Sequence, residues 1–161
     1  MTMTESQPLL SVRNLQLAFA GKPVVRDVSF EIAAGEKLAL VGESGSGKTI
    51  TALALLRLVG EAQLQGQALF DGRDLLTLSE RQMRAVRGGD IAMIFQEPMT
   101  ALNPLMTVGA QIAEVLQLKQ ALSPAQAWTQ AVELLATTGI PEPARRAAAY
   151  AHQLSGGQRQ R

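Results

Sequence analysis

Gly42-Glu43-Ser44-Gly45-Ser46-Gly47-Lys48-Thr49 sets glycines, a lysine and a hydroxyl at the spacing G-x-x-x-x-G-K-[ST]. Gly42, Gly45 and Gly47 permit backbone angles and close approaches that a Cβ obstructs, so successive N–H groups can turn inward around a phosphate. In such a loop Lys48 reaches the β- and γ-phosphates, and the Thr49 hydroxyl ligates a Mg²⁺ that bridges them, which makes ATP or GTP the first ligand to consider. Positioning these groups requires a strand before the loop and a helix after it. Lys37 to Val41 is a short apolar run suited to a buried parallel strand, and Ile50 to Leu58 is rich in helix formers. The helix beginning near Gly47 adds its positive dipole end to the site.

A second group repeats this chemistry near the end of the chain. In Leu154-Ser155-Gly156-Gly157-Gln158, Ser155 is an N-cap residue and the paired glycines expose backbone N–H groups to an anion.

The 161 residues suffice for one domain with a sizeable core, and 47% hydrophobic with 18% charged residues is ordinary globular composition. Fifteen basic and 14 acidic residues leave a formal charge of +1. Arg81, Arg84 and Arg87, and Arg145 with Arg146, are short clusters split by apolar sequence, so no basic stripe points to nucleic acid. No apolar run approaches the roughly 20 residues of a membrane span, and Met1 to Pro8 lacks the pattern of a secretion signal. The chain has no cysteine, which excludes disulfides and thiolate metal sites.

Leu9 to Phe19 and Val24 to Ile32 alternate apolar and polar residues around a Gly21-Lys22-Pro23 turn, predicting an antiparallel pair. Gly66 to Phe70 reads as a further strand, Asp71-Gly72 as a turn, and Ser79 to Val86 as a short helix capped by Ser79. Asp90 to Gln96 reads as a second buried strand. From Thr107 the pattern turns helical, with Val108, Ile112, Val115 and Leu116 on one face, and Ser123-Pro124 opens another helix to about Thr138.

With both glycine motifs in this order, the chain resembles the nucleotide-binding subunit of ABC transporters. Ile91 to Met99, Ala101-Leu102-Asn103-Pro104 and His152 to Gly157 narrow the resemblance to the dipeptide, oligopeptide and nickel importer branch. The likeness covers nearly all of the chain from Leu9 onward. It implies an α/β fold: a P-loop NTPase (RecA-like) core with amino-terminal antiparallel strands, incomplete at the carboxyl end, over about residues 9–98, then a helical subdomain and the start of the signature helix over about 99–161. It further implies that Gln96 senses Mg²⁺ and the γ-phosphate, that Phe19 stacks on adenine, and that Leu154 to Gln158 contact ATP held by a second nucleotide-binding domain. On position alone Phe19 belongs to a core. His152 is read as a structural or interface group, Trp128 as a buried anchor, and Ala151 stands where this branch commonly has proline.

Partners implied by the resemblance are transmembrane permease subunits docked on Gln96 to Thr107, a second nucleotide-binding domain and, indirectly, a solute-binding protein. The expected location is cytoplasmic, on the inner face of the cell membrane. The Asp that binds Mg²⁺ at the end of an apolar strand, and its adjacent catalytic Glu, are not found: Asp90 stands at the wrong end of its segment, and Asp71 and Asp74 lie in a turn. The expectation is therefore an amino-terminal part of an importer ATPase subunit that binds ATP weakly, is marginally stable and does not itself hydrolyse ATP. A soluble ABC-class ATPase and a non-catalytic ATP-binding fragment remain as alternatives.

Overall fold

A computed structural model describes residues 7–96 and 101–161. It forms two compact units, Met1–Arg87 and Gly88–Arg161. Positions 97–100 of the expected docking stretch lie outside the described residues.

The first unit is built on an antiparallel sheet in the order β2-β1-β3-β4, comprising β1 (Leu10–Phe19), β2 (Lys22–Ile32), β3 (Gln63–Phe70) and β4 (Arg73–Asp74). Ala20 and Gly21, both at positive φ, make the two-residue turn between β1 and β2, a geometry that matches the twist of a hairpin. The alternation expected along β1 is broken at Arg13-Asn14, where both residues are exposed between buried Val12 and buried Leu15. Here β1 carries an extra residue against β3, whose partners jump from Arg13↔Gln67 to Gln16↔Gln65. This bulge resets the two-residue phase, so Val12, Leu15 and Leu17 all reach the core, at 1% exposure or less. Asn14 sits at φ 49; its N–H donates to Ser29 Oγ at 2.8 Å and its Nδ2 to Asp27 Oδ1 at 2.7 Å.

Two helices complete this unit, α1 (Lys48–Leu55) and α2 (Glu80–Val86). Ser79 caps α2 in a reciprocal box with Gln82, as its S-x-x-Q spacing predicts. Past α1, the Arg87 guanidinium donates to the carbonyls of Leu56 (2.7 Å) and Arg57 (3.2 Å) and to Glu80 Oε1 (2.6 Å). Arg57 donates to the Leu78 carbonyl. Arg87 thus satisfies carbonyls that α1 leaves without intrahelical partners. Replacing it with Ala should cost about 2–3 kcal/mol of stability, because two charge-assisted bonds to backbone disappear with no donor to replace them. Urea unfolding followed by circular dichroism reads this directly, and Arg87→Lys should recover less than half, since an ammonium cannot hold three acceptors in the guanidinium's planar arrangement.

Neither expected parallel strand forms. Lys37 to Val41 has no strand partner, and Leu38, Leu40 and Val41 are 46%, 47% and 85% exposed. Asp90 to Gln96 makes no more than an isolated bridge at Ile91, and Ile94 is 94% exposed. A parallel strand needs a neighbour brought from a distance, and among the described residues the one sheet is wholly antiparallel.

Among the described residues the second unit contains α3 (Val108–Gln120), α4 (Pro124–Thr137), α5 (Pro143–Ala147), a 3₁₀ turn (Ala151–Gln153) and α6 (Gly156–Gln160). Ser123 caps α4 with Gln126, and Pro124 occupies the first helical position. Helices α3, α4 and α5 meet at Gly109, where a Cβ would stand 2.8 Å from Ala147 Cβ and 2.9 Å from Trp128 Cζ3. Trp128 is therefore only an edge contact and remains 39% exposed, not the buried anchor expected. Val115 also departs from expectation, at 54% exposure. At about 100° per residue, Val108, Gly109, Ile112, Ala113 and Leu116 centre the buried stripe, and Val115 lies roughly 90° off that centre. No helix among the described residues is long and apolar enough to cross a membrane.

Candidate functional site

The phosphate-type loop is held by its own residues. Gly42, Gly45 and Gly47 all have positive φ, at 158°, 83° and 93°. A Cβ on Gly42 would stand 2.7 Å from Ser46 Oγ and 3.4 Å from Ser46 Cβ, so a side chain there would displace the hydroxyl that Lys48 bonds. Gly47 lies against β2, its missing Cβ 3.4 Å from the Val24 carbonyl and from Val25 Cγ2, which fixes where α1 begins. Ser46 N–H donates to the Glu43 carbonyl at 3.2 Å and makes the turn. Lys48 folds back over it: Nζ donates to the carbonyls of Gly42 and Glu43, both at 2.7 Å, and to Ser46 Oγ at 3.3 Å.

Gly47 is the N-cap of α1 and provides no side-chain acceptor, so the first-turn N–H groups have no capping oxygen. An ammonium, a glycine-lined turn and uncapped N–H groups at one point suit an anion with several oxygens. Thr51 is not part of that set: its hydroxyl donates back to the Gly47 carbonyl at 2.8 Å and is buried. Thr49, one residue into the helix, is exposed. Among the described residues no group of three or more His, Asp or Glu side chains can hold a metal alone. A hydroxyl ligand therefore suits Mg²⁺ only where phosphate oxygens and water complete the octahedron.

Phe19 is half-buried at the end of β1 and pairs with Lys22 across the hairpin turn. Gln96 is exposed in a bend of the second unit.

The Leu154 to Gln158 segment is also locally ordered. Ser155 Oγ accepts from Gln158 N–H at 3.2 Å, and Gln158 Oε1 accepts from Ser155 N–H at 3.1 Å, a reciprocal cap on α6. Leu154 anchors the segment in a cluster with Val108, Leu135, Ile140 and Ala147. A Cβ at Gly157 would meet nothing within 4 Å, leaving that face open to approach. Arg161 ties α6 to the turn after α4, its Nη1 donating to the Gly139 carbonyl at 2.8 Å. Sequence reasoning missed this tie and the stacking of Tyr150 on His152, whose ring centroids are 5.7 Å apart with planes at 11°. Neither pair is marked by a periodic pattern: the stack joins near neighbours across one turn, whereas the tie joins residues 22 apart in sequence.

The family model for the ABC transporter matches residues 25–161. The peptidoglycan transport ATP-binding protein YejF of Agrobacterium fabrum is 55% identical over all of this chain and 31% of its own length. The oligopeptide transport ATP-binding protein OppD of Bacillus subtilis is 48% identical over 95% of this chain and 45% of its own. For the glutathione import ATP-binding protein GsiA of Salmonella typhimurium the figures are 50%, 98% and 27%. The chain thus spans less than half the length of these relatives. A dimeric structure of the ATP-binding cassette MJ0796 bound to ADP and Pi superposes with a TM-score of 0.77 at 26% identity, covering 93% of this chain and 65% of that one. The cassette fold extends to this chain although its two apolar segments do not pair as strands. With the family model spanning residues 25–161, the chain belongs to the ABC transporter family.

Proposed function

We propose that this chain is the nucleotide-binding, amino-terminal portion of an importer ATPase subunit, in which ATP binding and hydrolysis drive uptake of peptides or related small solutes. The observation that carries this reading is the Lys48-centred loop at the uncapped start of α1. The names of the relatives supply the class of transported solute.

In this reading residues 42–49 cradle the phosphates: Lys48 exchanges its bonds to Gly42 and Glu43 for phosphate oxygens, and the glycine N–H groups surround them. Thr49 and Gln96 hold Mg²⁺, and Phe19 supplies a flat apolar face to adenine. When bound, ATP brings the phosphoanhydride whose cleavage releases the free energy for transport. Leu154 to Gln158 contact the nucleotide held by a second domain, with Leu154 fixing the segment and Gly157 giving backbone access. Residues 9–98 correspond to the core and 99–161 to the helical subdomain. Transmembrane permease subunits dock on Gln96 to Thr107, a solute-binding protein acts through them, and the subunit lies at the cytoplasmic face of the membrane.

The chain by itself is expected to bind ATP·Mg²⁺ without turning it over, because its sequence has no Asp-Glu pair after an apolar run. Calorimetric titration with ATP and a phosphate-release assay on the same sample test both halves. Failure to bind ATP overturns the reading. Steady phosphate release that persists in Lys48→Ala would show that the loop is not the site.

A further inference from the structure

The outer face of the antiparallel sheet carries a small cavity of about 80 Å³, lined chiefly by Gln16, Ala18, Pro23, Arg26, Gln63 and Gln65. Its placement follows from strand pairing. Gln16 stands opposite Gln65, and Ala18 opposite both Gln63 and Pro23, so these side chains share a face, while Leu17 and Val25 turn to the other side and are buried. Phe19, next after Ala18 along β1, alternates to the opposite face, so the cavity is separate from the adenine contact proposed above. Strand β2 is irregular here: its partners step from Val28 to Val25 while β1 steps from Leu15 to Leu17, and from Val25 to Pro23 while β1 advances one residue. An extra β2 residue therefore lies on each side of Val25, and bulges of this kind re-aim the side chains beside them, here Arg26.

The polar groups around the cavity are uncommitted. Among the described residues, the side chains of Arg26, Gln16, Gln63 and Gln65 have no hydrogen-bond or ion-pair partner. This sets Arg26 apart from its neighbours. Arg13 pairs with Glu31 at 3.6 Å, and Asp27, the acid next to Arg26, accepts from Asn14 Nδ2 at 2.7 Å. The described lining residues include no acid, so the cavity presents one positive charge and three carboxamides. A planar guanidinium takes a carboxylate through two parallel bonds, and a carboxamide, which both donates and accepts, matches a peptide amide on both counts. The cavity is far below the roughly 300–1,000 Å³ of pockets that enclose a whole ligand, so it receives one end of a molecule. We propose that Arg26, Gln16, Gln63 and Gln65 form a site for the carboxyl-terminal end of a short peptide, with the carboxylate on Arg26 and the adjoining amide on the glutamines. On the function proposed above, on which this last step rests, the ligand is of the same class as the transported solute, and the site gives the nucleotide-binding subunit direct contact with transported product.

Titration of the isotope-labelled chain with the dipeptide Ala-Ala, followed by NMR, reads binding residue by residue. The side-chain N–H signals of Gln16, Gln63, Gln65 and Arg26 should shift together with a dissociation constant of about 1–10 mM, the strength of a ligand this small on an open site. Residues 42–49 should stay unmoved by the dipeptide and respond to ATP in the same sample. Amidating the carboxyl end of the dipeptide, or replacing Arg26→Gln, should weaken binding at least about fivefold, since either removes one partner of a charge-assisted pair. Acetate, which has the carboxylate without the amide, should bind at least about fivefold more weakly than Ala-Ala. Lys22→Gln removes an exposed cation from the same strand and should change affinity less than about twofold. Each variant is compared at matching circular dichroism. Unmoved glutamine signals at about 50 mM dipeptide, equal binding of the amidated form, equal binding of acetate, or wild-type affinity in Arg26→Gln would each overturn the inference. In all four cases ATP binding through Lys48 stands. Loss of ATP binding with dipeptide binding intact would instead remove the proposed function and leave the site, without its link to a transported solute.

Discussion

Lys48→Ala should lower the affinity of the chain for ATP·Mg²⁺ about 100-fold, equivalent to about 2.7 kcal/mol. The magnitude follows from what Nζ does in the loop. It bonds the carbonyls of Gly42 and Glu43 and the Ser46 hydroxyl, all neutral acceptors. Turning to phosphate replaces these with bonds to full negative charges, which are about twice as strong. Removing a charged partner from a charge-assisted contact costs about 2–5 kcal/mol, and partial solvent access to the loop places this site toward the lower end. Two controls separate charge from geometry. Lys48→Arg keeps the charge, but its rigid fork cannot sit in a turn whose carbonyls accept a compact ammonium, so most of the loss should remain. Lys37→Ala removes an exposed cation before the loop and should change affinity less than about twofold. A loss below fivefold for Lys48→Ala, in a variant whose circular dichroism matches wild type, would place the phosphates elsewhere.

What sequence revealed and what it hid divide along the range of the interactions. Ser79, Ser123 and Ser155 each precede a glutamine by three positions, and each forms the reciprocal cap that this spacing encodes, because all the partners lie within one turn. The antiparallel pairing of β1 and β2 was legible, but the turn expected at Gly21 to Pro23 falls at Ala20-Gly21, with Lys22 and Pro23 already paired in β2. Lys37 to Val41 and Asp90 to Gln96 were not legible, since an apolar run encodes a wish for burial and says nothing about whether a neighbouring strand is present. The loop Gly42 to Thr49 was read as a unit because its chemistry is local, and its residues do come together. Two-residue β4 and five-residue α5 escaped because they are shorter than any periodicity can register, and the Arg161 tie because it joins residues 22 apart that no local pattern links. The break at Arg13-Asn14 did carry a signal: two polar residues between Val12 and Leu15 cannot belong to strict alternation and call for a bulge.

That bulge makes Gly66 the most sensitive backbone position in the first unit. Gly66→Ala should destabilise the unit by about 3–5 kcal/mol, the range of severe backbone and packing disruption. A Cβ at Gly66 would stand 2.4 Å from the Asn14 carbonyl oxygen, 2.7 Å from the Arg13 carbonyl oxygen and 2.7 Å from Asn14 C. All three are main-chain atoms of the neighbouring strand, so relief requires the strand itself to move. Moving β1 there threatens the phase shift that sends Leu15 and Leu17 inward after Val12, and with it three side chains buried to 1% exposure or less. Gly72→Ala is the matched comparison. Gly72 has φ +73 in the Asp71-Gly72 turn, but nothing lies within 4 Å of its missing Cβ. It should therefore cost only the left-handed penalty of about 1–2 kcal/mol. Thermal unfolding of both variants decides the matter: the midpoint should fall by roughly 10 °C or more for Gly66→Ala and by about half that or less for Gly72→Ala. Equal falls would mean that positive φ alone governs both glycines, and that the close approach of β3 to the bulge carries no part of the fold's stability.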